Sequence, residues 1–310
     1  MGIKLFNFTN SPFIMNPFRF SASGADIRGI CSGGSATSAV SNVIDYVTIS
    51  TLGNATDFGD LTAARRNIGS FSDSTRGLNC GGYTSGKTNI IDYVTILTTG
   101  NAIDFGDLTV DTIMQGGCSD STRGLNGGGQ VSGISNIISY VTIATTGNAT
   151  DFGDLTQSRE RVGALADSTR GVFAGGWAGG VVNTIDYVTI STTGNATDFG
   201  DLTRSTEFPA GCADNTRGVF GGGNSSGDTI EYITIQTTGN STDFGDLTIA
   251  RDGCSATSDS SRGIFMGGYD VGRSVVIDYV TIQTTGNAIG FGDLTVGRSG
   301  CGGFSDFVAT

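Results

Sequence analysis

Ile44-Asp45-Tyr46-Val47-Thr48-Ile49, running on to Thr56-Asp57-Phe58-Gly59-Asp60-Leu61-Thr62, decides the fold, because nearly the same words return five more times. The tyrosine of the motif falls at Tyr46, Tyr93, Tyr140, Tyr187, Tyr232 and Tyr279. The phenylalanine falls at Phe58, Phe105, Phe152, Phe199, Phe244 and Phe291. Successive tyrosines stand 47 residues apart, except for 45 between Tyr187 and Tyr232. A self-similar period of roughly 40–50 residues marks propeller blades, each a unit that cannot bury its own faces alone.

Outward from that stretch the repeat divides into four short strands, lettered a to d from the axis. In the second copy strand a reads from Arg65 to Asp73, and strand b follows as Arg76-Gly77-Leu78-Asn79-Cys80-Gly81-Gly82. The double glycine lets the backbone turn sharply out of the sheet. Strand c is the Ile-Asp-Tyr-Val-Thr-Ile run, in which Tyr and Thr face away from Asp, Val and Ile. The Thr-Gly-Asn behind it, with Gly100-Asn101 in the second copy, predicts a tight hairpin into strand d.

Strands b, c and d occur six times from Arg28, while a occurs six times and ends with Arg298 to Asp306. The first b-c-d set therefore lacks a preceding a, and the last a lacks a following b. The C-terminal strand is expected to complete the first blade and so remove an open sheet edge. The resulting expectation is an all-β, six-bladed propeller of four-stranded blades over residues 21–310. Residues 1–20 form a Phe/Pro-rich arm carrying Phe6, Phe8, Phe13, Phe18 and Phe20. Such apolar residues are costly in water, so the arm packs on its own propeller or plugs into another subunit. Both readings stay open.

Hydrophobics closed by Gly-Gly, a variable loop, then Tyr, a large aromatic, Leu and Arg follow the order of a Kelch repeat. Over residues 25 to 306 the chain resembles a Kelch-type β-propeller, with phenylalanine at the six positions from Phe58 to Phe291 where that family usually has Trp. The near-verbatim Asp-Tyr-Val-Thr-Ile and Thr-Gly-Asn-Ala-Thr-Asp-Phe-Gly-Asp-Leu-Thr repetition is also similar to virion structural and tail proteins of marine tailed phages. That second resemblance implies a virion component made in the host cytoplasm, held to other virion proteins through its arm and displaying a face to a host-surface glycan or protein.

Composition narrows the chemistry. Glycine supplies 51 of 310 residues and charged residues 15%, against typical shares of ~7% and ~25%. A net charge of −12 repels phosphate backbones and argues against a nucleic-acid partner. There is no histidine, and Cys31, Cys80, Cys118, Cys212, Cys254 and Cys301 form no C-x-x-C pair, so zinc and iron–sulfur sites are not expected. Other copies place Ile, Phe, Leu, Ala or Gly where these cysteines stand, which reads as small buried hydrophobes. No apolar run reaches the ~18 residues of a membrane span, and no secretion signal is read at the N-terminus.

Two recurrent motifs invite a chemical reading. An Arg-Gly step opens every b strand at Arg28, Arg76, Arg123, Arg170, Arg217 and Arg262, each behind an acid, at Asp26, Asp73, Asp120, Asp167, Asp214 and Asp259. A discriminating pocket needs different groups converging from different blades, so six equivalent couples read as structural Asp–Arg pairs. The loop Gly147 to Asp154 offers hard oxygens, but turn chemistry accounts for the same residues and a bidentate Glu is lacking. The Asn-x-Ser/Thr sequons at Asn7, Asn54, Asn148, Asn195, Asn224 and Asn240 read as arm and turn residues. Without histidine the Ser-His couple and the copper-oxidase option close. No catalytic residue, metal or cofactor is assigned, and a non-enzyme is expected.

Comparing the copies singles out one face. The a–b and c–d turns barely change, whereas the b–c and d–a turns vary. After the double glycine stand Tyr83, Gln130, Trp177, Asn224 and Tyr269, with Ser35 in the first blade, and the d–a turns contribute Arg65 and Arg159. These are the expected binding-face residues, with the sole Trp among them. The readings are an attachment protein of a phage particle (tail, fibre or capsid decoration), a free glycan- or protein-binding module, and a glycan hydrolase.

Overall fold

A computed structural model describes residues 26–37, 39–224 and 227–308. Phe6, Phe8, Phe13, Phe18 and Phe20 of the arm, and Asn7, lie outside them. The described residues form six four-stranded antiparallel sheets arranged as a ring. In the second blade strand a is Gly69–Ser72, b Arg76–Cys80, c Ile90–Thr95 and d Ile103–Asp107. Strand a is shorter than the sequence suggests, because Asn67 takes a left-handed φ of 55° before the strand begins. The first blade is completed by the C-terminal strand Gly302–Ser305, paired antiparallel with Arg28–Ser32. The offset register thus closes the ring.

Each core cluster spans two blades. Ile30, Ile44, Phe58 and Phe304 of the first blade pack with Val94, Ile96 and Ala102 of the second, and the other interfaces repeat the arrangement. The six motif phenylalanines are buried, and each meets its own blade's tyrosine edge-on at 5.8 to 6.2 Å. Over each tyrosine lies the Arg of the Arg-Gly step, 4.2 to 5.0 Å from the ring centre. The glycine of that step is needed for close approach: a Cβ on Gly77 would fall 1.8 Å from the ring of Phe304 in the preceding blade. The six cysteines are free and buried. Burial pushes the Cys80 thiol up to about 12. At the closing seam the Cys31 thiol goes the other way, held down to about 7 by its hydrogen bond with Cys301, with Arg298 adding to the effect.

The structure corrects two readings of the uniform turns. Asp73 Oδ1 accepts from the backbone N–H groups of Thr75 and Arg76, both at 2.7 Å, so the acid caps a turn and forms no ion pair with the guanidinium. Arg76 Nη1 instead donates to the carbonyl of Ile143 in the next blade, and the five equivalent arginines do the same around the ring. In the first blade the capping acid is Asp306, which accepts from Arg28 N at 2.7 Å, rather than Asp26.

Nor is the c–d connection a tight hairpin. Residues 96–102 lie along strand d of the preceding blade, where Gly100 N donates to Phe58 O and Ala102 N to Asp60 O, both at 2.8 Å. Asn101 Oδ1 accepts from Asp60 N at 3.1 Å. Asn54, Asn148, Asn195, Asn240 and Asn287 repeat that bond, which explains four of the sequons as inter-blade clamps. The outer edge of every blade is therefore covered by the next one.

Candidate recognition face

Strand order places the a–b and c–d turns on one face and the b–c and d–a turns on the other, and the two faces are held differently. On the first, side chains add to the backbone bonds between blades: an asparagine amide and an arginine guanidinium each make the same inter-blade bond in every copy. Changing those residues breaks the bonds, so the sequence there is uniform. On the second, the inter-blade bonds that recur in every copy use backbone groups, as Gly82 N donates to Thr112 O at 2.8 Å and Gly129 N to Arg159 O at 2.9 Å, while side-chain bonds such as Arg161 to Glu207 and Arg273 to Ser35 belong to single blade pairs. Side chains on this face are free to differ.

Most of the expected face residues sit at one equivalent position. Tyr83, Gln130, Trp177 and Tyr269 each bridge to the incoming d–a connector, at Arg66, Ile113, Glu160 and Asp252, and to a residue four further on. Tyr83, Gln130 and Trp177 are half-buried, and Tyr269 is exposed. The three aromatics each carry a guanidinium: Arg66 over Tyr83 at 5.2 Å, Arg161 over Trp177 at 5.8 Å and Arg273 over Tyr269 at 4.9 Å. Asn224 is a turn cap, with Oδ1 accepting from Glu207 N and Nδ2 donating to Ser205 O, both at 3.0 Å.

Arg65 and Arg159 do not belong to the face. Both are fully buried, and each pairs with the Asp of its own strand c: Arg65 Nη2 with Asp92 Oδ1 at 2.5 Å, Arg159 Nη2 with Asp186 Oδ2 at 2.8 Å. Arg251–Asp278 and Arg298–Asp45 repeat the pair. Burial lowers the Arg159 guanidinium's pKa, which the Asp186 carboxylate opposes. These arginines hold strands together and present nothing to a ligand.

At the axis the same face opens into a mouth that the sequence did not reveal. Its ring consists of Asn67, Met114, Arg161, Phe208, Gly253 and Gly300, all with φ between 55° and 65°. Backbone bonds pass from blade to blade around it, from Met114 N to Asn67 O, Arg161 N to Met114 O and Phe208 N to Arg161 O. Glycine satisfies this left-handed geometry in two connectors, yet four carry side chains there, at a cost of order 1–3 kcal/mol each. The mouth encloses a cavity of about 90 Å³ walled by Asn67, Met114, Arg161 and Phe208 and low over Gly253 and Gly300.

Among the described residues no group of three or more Cys, Asp or Glu side chains could hold a metal ion, and no helix is long and apolar enough to cross a membrane. No protein-family profile matches the chain, and no curated protein matches it.

Proposed function

We propose that the protein is a non-enzymatic recognition propeller that binds through the face of the b–c and d–a turns. The observation that carries this is the confinement of side-chain variation to that face, where different groups from different blades converge on one axial mouth. Only an asymmetric surface can discriminate a partner. The opposite face is committed to holding the ring. It also carries both ends of the described chain, since Arg28 N meets Asp306 Oδ1 and Phe307 and Val308 line the axial cavity beside Ser72 and Ser305. Attachment there leaves the varied face displayed.

The finer reading is an attachment or structural component of a phage particle, fixed through residues 1–20 and presenting the mouth to a host-surface glycan or protein. It rests on the repeat's resemblance to tail proteins. A free binding module is the alternative. Binding to intact host cells and to a glycan array, measured for the parent and for Tyr83→Ala/Trp177→Ala/Tyr269→Ala, tests the face: the triple variant is expected to lose binding while staying folded, and unchanged binding would sink the proposal. Deleting residues 1–20 is expected to leave a folded propeller that no longer enters particles. Normal incorporation would overturn the anchoring role of residues 1–20.

A further inference from the structure

Blade 3 alone lacks both members of the buried ion pair: Thr112 stands where blade 2 has Arg65, and Ser139 where it has Asp92. In blade 2 the pair serves backbone groups as well as each other. Arg65 Nη1 donates to Ile90 O at 2.8 Å and its Nη2 to Asn79 O at 3.0 Å. Asp92 Oδ2 accepts from Thr62 N at 3.0 Å and from Thr62 Oγ1 at 2.7 Å. Blade 4 repeats all four bonds through Arg159 and Asp186. Blade 5, with Thr206 in place of the arginine, still keeps the acid's contacts, because Glu231 accepts from both Thr203 N and Thr203 Oγ1.

The corresponding groups in blade 3 are the carbonyls of Ile137 and Asn126 and the N–H and hydroxyl of Thr109. Among the described residues no side chain hydrogen-bonds any of them. Thr112 Oγ1 turns back to Val110 O at 2.9 Å. Ile137 O accepts from Gly128 N at 3.0 Å and keeps its second lone pair, the one that takes the guanidinium in blade 2. Where the pair would lie there is a cavity of about 10 Å³, lined by Thr109, Thr112, Asn126, Ile137 and Ser139 with their neighbours.

Size and chemistry together select an occupant. About 10–15 Å³ is the room one water needs, and polar cavities are hydrated where apolar ones stay dry. A metal cation is disfavoured, because the site has lost its carboxylate and keeps an N–H donor at Thr109, whereas hard cations bind through oxygens alone. A water can do what the pair does in blade 2: give its protons to carbonyls and accept from a threonine. We propose that this cavity is a hydration site, in which one ordered water donates to the carbonyls of Ile137 and Asn126 and accepts from Thr109 or Ser139. The chain thereby drops two charges without leaving backbone groups unpaired. The site is independent of what the varied face binds.

The test is a crystal structure of the full chain at a resolution that shows individual waters. One density peak is expected in the cavity, within about 2.5–3.2 Å of at least two of Ile137 O, Asn126 O, Thr109 N, Thr109 Oγ1 and Ser139 Oγ. In Thr112→Arg/Ser139→Asp the guanidinium is expected to make the carbonyl bonds itself and the peak to be lost. Parent crystals soaked in a rubidium salt, whose anomalous scattering marks a monovalent cation, are expected to show no anomalous peak there. A cavity without density in the parent, a peak bonded to fewer than two of those groups, a rubidium peak, or a water that persists beside the introduced guanidinium overturns the proposal. The parent and rubidium crystals decide it even where the double variant does not fold.

Discussion

Asp92 and Arg65 show what a single residue contributes here. Removing one partner of a buried ion pair leaves the other charge uncompensated, at a cost of about 3–5 kcal/mol, whereas replacing both is often nearly neutral. The chain has made the double replacement itself: blade 3 has Thr112 and Ser139 at the two positions. Asp92→Ser is therefore expected to lower unfolding stability by about 3–5 kcal/mol, and adding Arg65→Thr to recover most of it. A double variant no more stable than the single one would contradict this. The pair was legible in principle, because Arg65, Arg159, Arg251 and Arg298 accompany Asp92, Asp186, Asp278 and Asp45, and both partners vanish together in blade 3. It was misread because a charged residue in a variable loop looks exposed; in blade 5 the acid survives alone as Glu231, held by Ser241 at 3.0 Å. The motif phenylalanine was read correctly, since burial of a large aromatic at a fixed period needs no partner to be recognised. Phe152→Ala is expected to cost about 3–5 kcal/mol by chemical unfolding, and a loss below roughly 1 kcal/mol would mark it as exposed.

Strands were legible wherever their residues alternate, as in Ile-Asp-Tyr-Val-Thr-Ile, and illegible where their role lies in another blade. Gly100-Asn101 carries every mark of a hairpin turn, yet its hydrogen bonds go to strand d of the neighbour, which local sequence does not encode. The inner strands show the same dependence. Ser119 Oγ donates to Ser72 O, Ser72 Oγ to Ser305 O, Ser305 Oγ to Ser258 O and Ser258 Oγ to Ala213 O, at 2.6 to 2.7 Å. The series stops at Ala213 and Ala166, which have no hydroxyl. Ala213→Ser and Ala166→Ser are expected to complete the circle and raise stability by about 0.5–1.5 kcal/mol each. Thermal unfolding checks this, and a loss from either substitution would show that the axis has no room for the hydroxyl.

At the scale of the molecule the ring is closed at several radii. Strand Gly302–Ser305 joins Arg28–Ser32 at the axis, Arg298 pairs with Asp45 at 2.6 Å, and Gly53 N donates to Phe291 O at 3.0 Å on the outer rim. Deleting residues 296–310 removes the axial strand and the Arg298 pair, and because each blade stands on its neighbours the whole ring is expected to melt lower and lose solubility. Unchanged melting would mean that the rim suffices. Blade number and closure followed from counting strands in the sequence. The axial mouth did not, because Asn67, Met114, Arg161 and Phe208 share nothing but a backbone angle.

The central claim is a division of labour: one face commits the same side chains to inter-blade bonds in every copy, and the other makes its recurrent inter-blade bonds through the backbone and leaves its side chains free to differ for recognition. Chemical unfolding, followed by circular dichroism, of two variants made with the same incoming residue tests it directly. One is Asn101→Gln/Asn148→Gln/Asn195→Gln on the uniform face; the other is Tyr83→Gln/Trp177→Gln/Tyr269→Gln, which copies Gln130 of blade 3 onto the varied face. The account predicts a loss of about 0.5–1.5 kcal/mol per asparagine in the first set and a smaller loss in the second. A second set as destabilised as the first, or more so, would contradict it.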